Sequence, residues 1–279
     1  MHEWYAAPME GLTGWRWRQV QHEMFGGAAL YVTPFVSPNG NFSFQRKELE
    51  EMDPERNRGI PVVPQILTNR AEYFVWAAKE CRSRGWAQID LNLGCPSGTV
   101  TGKKKGAGLL RQPELLRQLL DGIFDALPDM KISVKTRIGW ERAEEWPALL
   151  ALLETYPICR LTVHPRVRTQ FYKGTADREV FRWTAEHTAL PLCYNGDVTT
   201  VRDLREMGEA FPDAAIMVGR GLVADPSLLR QATGGPAASL EELREFHDRL
   251  YGLYCRDFSG DVPVLHHMRE LWNYFSRSF

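Results

Sequence analysis

The chain has 279 residues, 44% of them apolar and 25% charged, with a formal net charge of −1. That composition excludes a disordered polyelectrolyte and allows one large α/β domain, with or without a small appendage. No apolar run approaches the roughly 18 residues a membrane span needs, and the start MHEWYAAPMEG lacks a basic region followed by an apolar stretch, so a cytoplasmic protein is expected.

Five cysteines, Cys81, Cys95, Cys159, Cys193 and Cys255, form an odd set without a C-x-x-C pair. Neither a disulfide framework nor a zinc site is expected from them. The near-zero charge gives no overall attraction to polyanions, yet Lys103, Lys104 and Lys105 are consecutive, and Arg166, Arg168 and Lys173 share one short stretch. Taken alone, such runs read as solvated faces.

In chain order, apolar runs bounded by turn residues give eight candidate strands: WYAAPM, ALYVTPF, IPVVPQIL, AQIDLNL, KISVKTR, CRLTVHP, PLCYNGD and AAIMVGRG. Helical patterns follow most of them. WRWRQVQHEMF comes after Thr13, and AEYFVWAAKECRSRG is opened by Thr68 and stopped at a glycine; PELLRQLLDGIFDAL and TVRDLREMGEAF follow strands four and seven. Strands alternating with helices of this length predict a parallel sheet, and eight such units predict a (β/α)8 TIM barrel over residues 1–233. GGPAAS then reads as a linker into a helical appendage over 234–279, short or incomplete, whose two helical patterns carry aromatic stripes that read first as core.

Polar residues collect just past the C-terminal ends of the strands, where this barrel assembles active sites: Met9 and Glu10, Gln65, Asn92 and Cys95, Lys135 and Arg137, His164 and Arg166, Asn195 and Asp197, Gly219 and Arg220. Glycines in NGD and GRG after the last two strands let backbone N–H groups approach a phosphate, and Arg220 adds a guanidinium fork. Lys135 ends an otherwise apolar strand, so its ammonium is expected in the barrel mouth, where it could hold an anionic ring. Cys95 lies in a loop bounded by glycine and proline, with no ligand-spaced Cys, His or carboxylate, so metal binding is not expected. Its ordinary pKa of about 8.5 keeps a thiol protonated at neutral pH, as a proton donor must be.

APMEG, NLGCPSGTVTGKKKGAGLL, VKTRIGW, HPRVRTQFYKGTAD, YNGDV and MVGRGLVADP occur in an order that resembles the tRNA-dihydrouridine synthases, over roughly residues 5 to 275. The resemblance implies a barrel holding tightly bound FMN, reduced by NADPH, with a helical C-terminal region that helps grip tRNA or another structured RNA. It implies no obligate protein partner. By position, Pro8, Met9 and Glu10 would line the flavin, Gln65 would hydrogen-bond its ring, and Lys135 would meet its N1 side. His164, Asn195, Gly196, Asp197, Gly219 and Arg220 would surround the ribityl phosphate.

Cys95 would be the catalytic acid, protonating C5 of a uracil whose C6 takes a hydride from flavin N5 on the opposite face. Lys103, Lys104, Lys105, Arg166 and Arg168 would contact RNA. The alternatives are a synthase acting on ribosomal RNA, a flavin barrel resembling the dihydroorotate dehydrogenases, and a barrel that only binds RNA. The basic loop and helical tail disfavour the second, and the presence of both Cys95 and Lys135 disfavours the third.

Overall fold

The structure, a computed structural model, describes residues 2–278. Its strands are β1 (Trp4–Ala6), β2 (Leu30–Val32), β3 (Val62–Val63), β4 (Gln65–Ile66), β5 (Gln88–Leu93), β6 (Lys131–Arg137), β7 (Arg160–His164), β8 (Leu192–Asn195) and β9 (Ala215–Val218). All pair in parallel, in the order β3-β2-β1-β9-β8-β7-β6-β5-β4. Pro64 separates β3 from β4, because a proline has no N–H to give the ladder. The two segments still continue one path: β3 pairs with β2, β4 pairs with β5, and the Pro64 carbonyl accepts from Asp90 N at 2.9 Å. The nine segments thus make the eight-stranded barrel expected from the sequence, closed through Pro64.

The helices are α1 (Trp15–Met24), α2 (Arg46–Glu51), α3 (Ala71–Ser83), α4 (Gly98–Thr101), α5 (Pro113–Ala126), α6 (Trp146–Leu153), α7 (Arg178–His187), α8 (Val201–Ala210), α9 (Arg220–Ala224), α10 (Leu228–Ala232), α11 (Leu240–Asp257) and α12 (Asp261–Phe275). One core cluster runs from the barrel into the last two helices. Thr200 caps α8, its hydroxyl accepting from Asp203 N, but Thr68, expected to open α3, does not cap it. Arg70 takes the cap position without a side-chain bond, and the Thr68 hydroxyl accepts from Arg70 N at 3.2 Å, steering the approach to the helix. Thr13 lies one residue too early to cap α1, whose cap is Gly14.

The tail begins cleanly at Ser239, whose hydroxyl accepts from Glu242 N while the Glu242 carboxylate accepts from Ser239 N. Leu243, Phe246, Leu250 and Tyr254 of α11 and Val264, Met268, Leu271 and Phe275 of α12 are buried, so the stripes are core. Against α1, Arg16 pairs with Asp257 at 2.7 Å and stacks over Trp15 and Phe258. Helix α12 gives way to a 3-10 turn at Ser276–Ser278, and Phe279 lies outside the described residues. No helix among the described residues is long and apolar enough to cross a membrane.

Candidate active site

A cavity of about 340 Å³ opens at the C-terminal ends of the strands. Its wall contains Cys95 and every residue expected around a cofactor: Pro8, Met9, Glu10, Gln65, Lys135, His164, Asn195, Gly196, Asp197, Gly219 and Arg220. The turn after β1 is braced by Thr13, whose hydroxyl accepts from Met9 N at 2.8 Å and donates to the Ala7 carbonyl at 3.2 Å.

Cys95 is held from two sides. Asn92 Oδ1 accepts from Gly94 N at 3.0 Å and Cys95 N at 2.9 Å, and the glycine-rich turn folds back beneath the Cys95 carbonyl. Burial raises the thiol above its ordinary pKa, a Ser97 backbone hydrogen bond and the nearby Lys135 and Arg137 cations offsetting part of the rise. The group is therefore a protonated thiol at neutral pH. Lys135 reaches the same space from the middle of β6. Burial and the neighbouring Arg137 lower its pKa to about 8, against the opposing pull of Asp90. Among the described residues no hydrogen bond or ion pair engages its ammonium.

The wall also carries a network of arginines around Asp197. Asp197 accepts from Arg166 at 2.5 Å, Arg220 at 2.8 Å and Ala176 N at 2.7 Å. Burial alone would raise its carboxyl, but these bonds hold it below the usual carboxylate range. His164 is pushed well below its ordinary pKa by burial and by Arg137, Lys135, Arg166 and Arg220. It is neutral, and Arg166 Nη1 at 3.0 Å can only donate, so His164 Nε2 accepts and Nδ1 carries the proton.

Of the expected RNA contacts, Lys103 and Lys104 are exposed, whereas Lys105 Nζ donates to Ser37 Oγ at 3.0 Å. Arg168 is half-buried, stacking over Trp140 and Phe171 and reaching Thr101 Oγ1 at 3.2 Å. Arg166 has a different place from the one expected. It is 1% exposed, with its guanidinium bound to Asp197, His164 and the Lys173 and Gly174 carbonyls, leaving no face for a phosphate. Its sequence context, next to Arg168 and Lys173, hid this because a single short loop here points residues both inward and outward.

Among the other wall residues, Arg137, Tyr172, Glu270 and Tyr274 were given no role from the sequence. Arg137 donates to the carbonyls of Gly94 at 3.0 Å, Val167 at 3.0 Å and Phe171 at 2.7 Å, lashing the Cys95 loop to the loop after β7. Tyr172, 56% exposed, stands 5.6 Å from the Arg137 guanidinium and 5.1 Å from that of Arg220. Glu270 and Tyr274 come from α12, four residues apart on one helical face. Arg137 was visible as a strand-end residue. The i, i+4 spacing of Glu270 and Tyr274 beside the buried stripe was the one trace of a second face.

Residues 5–278 match the family described as dihydrouridine synthase (Dus). The chain belongs to this family. Its members act as oxidoreductases on the CH–CH group of uridine, which makes the chain an oxidoreductase. Curated relatives include "tRNA-dihydrouridine synthase B" of Proteus vulgaris, 31% identical over 263 residues, spanning 88% of this chain and 80% of that one. A "Probable tRNA-dihydrouridine synthase" of Rhodobacter capsulatus is 30% identical over 272 residues, spanning 93% and 83%. Among solved structures, a morphinone reductase superposes with a TM-score of 0.58 at 12% identity, over 85% of this chain and 87% of its own. A 2-naphthoyl-CoA reductase complex gives 0.61 at 13%, over 84% and 50%. At such identities these two likenesses bear on the fold alone.

Proposed function

We propose that the chain reduces the C5=C6 bond of a uridine in tRNA to 5,6-dihydrouridine, using FMN and NADPH. One observation carries the reading: a protonated thiol, Cys95, and an unpartnered ammonium, Lys135, face a single cavity at the catalytic end of the barrel. The wall suits an FMN. Lys135 would meet the electron-rich side of the ring system, with Pro8, Met9, Glu10 and Gln65 along it. Arg220, Asn195, Gly196 and the backbone at Gly219 would hold the phosphate, near the neutral His164. Gly196 has room for no side chain, since a Cβ would come within 2.6 Å of Ala176 Cβ. Asp197 would keep Arg220 in place without facing the phosphate itself.

An FMN held by Lys135, Gln65 and Arg220 would, after reduction by NADPH, make a hydride available to C6 of the uracil. Cys95 gives its proton to C5, and the resulting thiolate is stabilised by Lys135 and Arg137 until water reprotonates it. The two transfers saturate the bond without a metal. A stacked base cannot offer both faces, so the uridine comes from a loop or is flipped out of its helix. Lys103 and Lys104 border the Cys95 loop and would meet the phosphates beside it. Residues 234–279 would form a small helical RNA-binding unit on a barrel of residues 1–233, and a tRNA substrate places the work in the cytoplasm.

The test is mass-spectrometric mapping of dihydrouridine in tRNA and ribosomal RNA from cells with and without the gene, together with release and identification of flavin from the purified protein. Loss at a tRNA position with FMN bound supports the reading. Loss in ribosomal RNA replaces the substrate, and an unchanged map in a strain lacking related enzymes overturns the reading.

A further inference from the structure

Asp90 is a carboxyl behind the cavity wall, 3% exposed, and the proposed chemistry makes no use of it. Its Oδ1 accepts from Ser133 Oγ at 2.7 Å and its Oδ2 accepts from Gln65 Nε2 at 2.7 Å. Gln65 Oε1 accepts from Asn92 Nδ2 at 2.7 Å, and Asn92 Oδ1 takes the N–H groups of Gly94 and Cys95. These bonds make one unbroken line from a buried charge to the loop that carries the thiol.

The line has a direction. A primary amide can face either way, exchanging a donor for an acceptor when it turns over. Its neighbours here remove that freedom. An ionised carboxylate only accepts, so Gln65 must show it the NH2 group and show Asn92 the oxygen. A backbone N–H only donates, so Asn92 must turn its oxygen towards Cys95 and its NH2 group towards Gln65. With an acceptor fixed at one end and donors fixed at the other, one arrangement of both amides satisfies every group. Burial pushes the Asp90 carboxyl up to about 6, against the Gln65 and Ser133 hydrogen bonds and Lys135, so it is ionised at neutral pH.

We propose that Asp90 is a positioning residue for Cys95, setting through Gln65 and Asn92 the one amide orientation that holds the proton-donor loop. The proposal rests on the assignment of Cys95 as proton donor. It differs from a role as counter-charge to Lys135, because what matters is an acceptor at position 90 and not a negative charge.

Exchanging the two ends separates these roles. In Asp90→Asn the new amide can still accept from Gln65 while donating to Ser133 Oγ, so the direction survives without the charge. In Asn92→Asp an acceptor is placed at both ends, and the Gln65 oxygen must oppose one of them. In the double variant the whole line can reverse with every bond restored: position 92 accepts from both Cys95 N–H and Gln65, and Gln65 accepts from position 90. The experiment measures single-turnover reduction of an unmodified tRNA transcript by flavin-loaded enzyme, with flavin content and circular dichroism recorded for each variant. It also follows the rate of iodoacetamide labelling at Cys95, peptide by peptide, with exposed Cys255 as internal reference.

The expected result is turnover in Asp90→Asn within about threefold of the parent, a loss of about tenfold or more in Asn92→Asp, and recovery of most of that loss in the double variant. Cys95 labelling should change in Asn92→Asp and return in the double variant, with Cys255 constant. A double variant no better than Asn92→Asp, or Asp90→Asn as slow as Asn92→Asp, overturns the proposal. If Asn92→Asp fails to fold, Gln65→Glu with and without Asp90→Asn applies the same logic. If the parent makes no dihydrouridine, the functional reading fails by itself and the labelling pattern alone decides on Asp90.

Discussion

The carbonyl of Cys95 accepts the backbone N–H of Ala107 at 3.1 Å, so the thiol loop rests on the turn that follows it. Gly106 makes the approach possible: its φ is +54°, and a Cβ there would lie 2.9 Å from the Cys95 carbonyl oxygen and 3.1 Å from Cys95 Cβ. Gly106→Ala combines a left-handed backbone with a clash against the loop. It should cost about 1–3 kcal/mol in urea unfolding. Turnover should fall further than stability accounts for, with flavin content unchanged.

Cys95→Ala removes the proton donor and leaves the loop backbone, whose bonds to Asn92 and Ala107 need no side chain. Flavin absorbance of the purified variant should match the parent while dihydrouridine formation drops by about 10²–10⁴. Loss of flavin in this variant would make the cysteine structural.

Lys135 should cost the fold stability in order to be present in the cavity as a cation. In an unfolded chain its pKa is near the ordinary 10.5, and in the folded protein it is about 8. Below pH 8 the ammonium is charged in both states and the burial penalty is complete. Between pH 8 and 10.5 the folded state releases its proton first, so stability recovers as pH rises. Lys135→Met should therefore be more stable than the parent by about 1–3 kcal/mol at pH 7. The difference should shrink above pH 8, and flavin affinity should fall. Thermal melts across pH 6–10 and flavin titration check both.

Reversing charge at Lys103 and Lys104 should weaken RNA binding and flatten the slope of log affinity against log salt by roughly one unit for each phosphate that is no longer neutralised. Including Lys105 should add a local structural cost, because its ammonium is tied to Ser37. Unchanged affinity in a filter-binding or fluorescence titration would leave the loop a solvated face.

The barrel was legible because strands buried on both faces read as apolar runs, and a polar residue ending such a run stands out. That is why Gln65, Asn92, Lys135 and His164 were found together. Contacts made by folding across the barrel leave no such mark. Tyr172 belongs to a loop that looks like any other polar loop, and Glu270 reaches the cavity from a helix far along the chain. Arg166 read as surface because charge clusters show sign and not direction. The role of Thr68 was misread because a threonine three residues before a helix resembles a cap, and the chain turns through Arg70 before the helix starts.

Closure through Pro64 leaves the ring with an uneven seam. Six residue pairs join β5 to β6, but only two join β2 to β3 and two join β4 to β5. Amide hydrogens along 62–66 should then exchange with solvent ahead of those in β5 and β6, through brief openings that leave the rest of the ring intact. Gln65 lies on that seam, its N–H bonded to the Thr33 hydroxyl at 3.0 Å. A ligand that touches Gln65 would slow those openings, so occupancy of the cavity would be written in the exchange rates of the barrel's own wall.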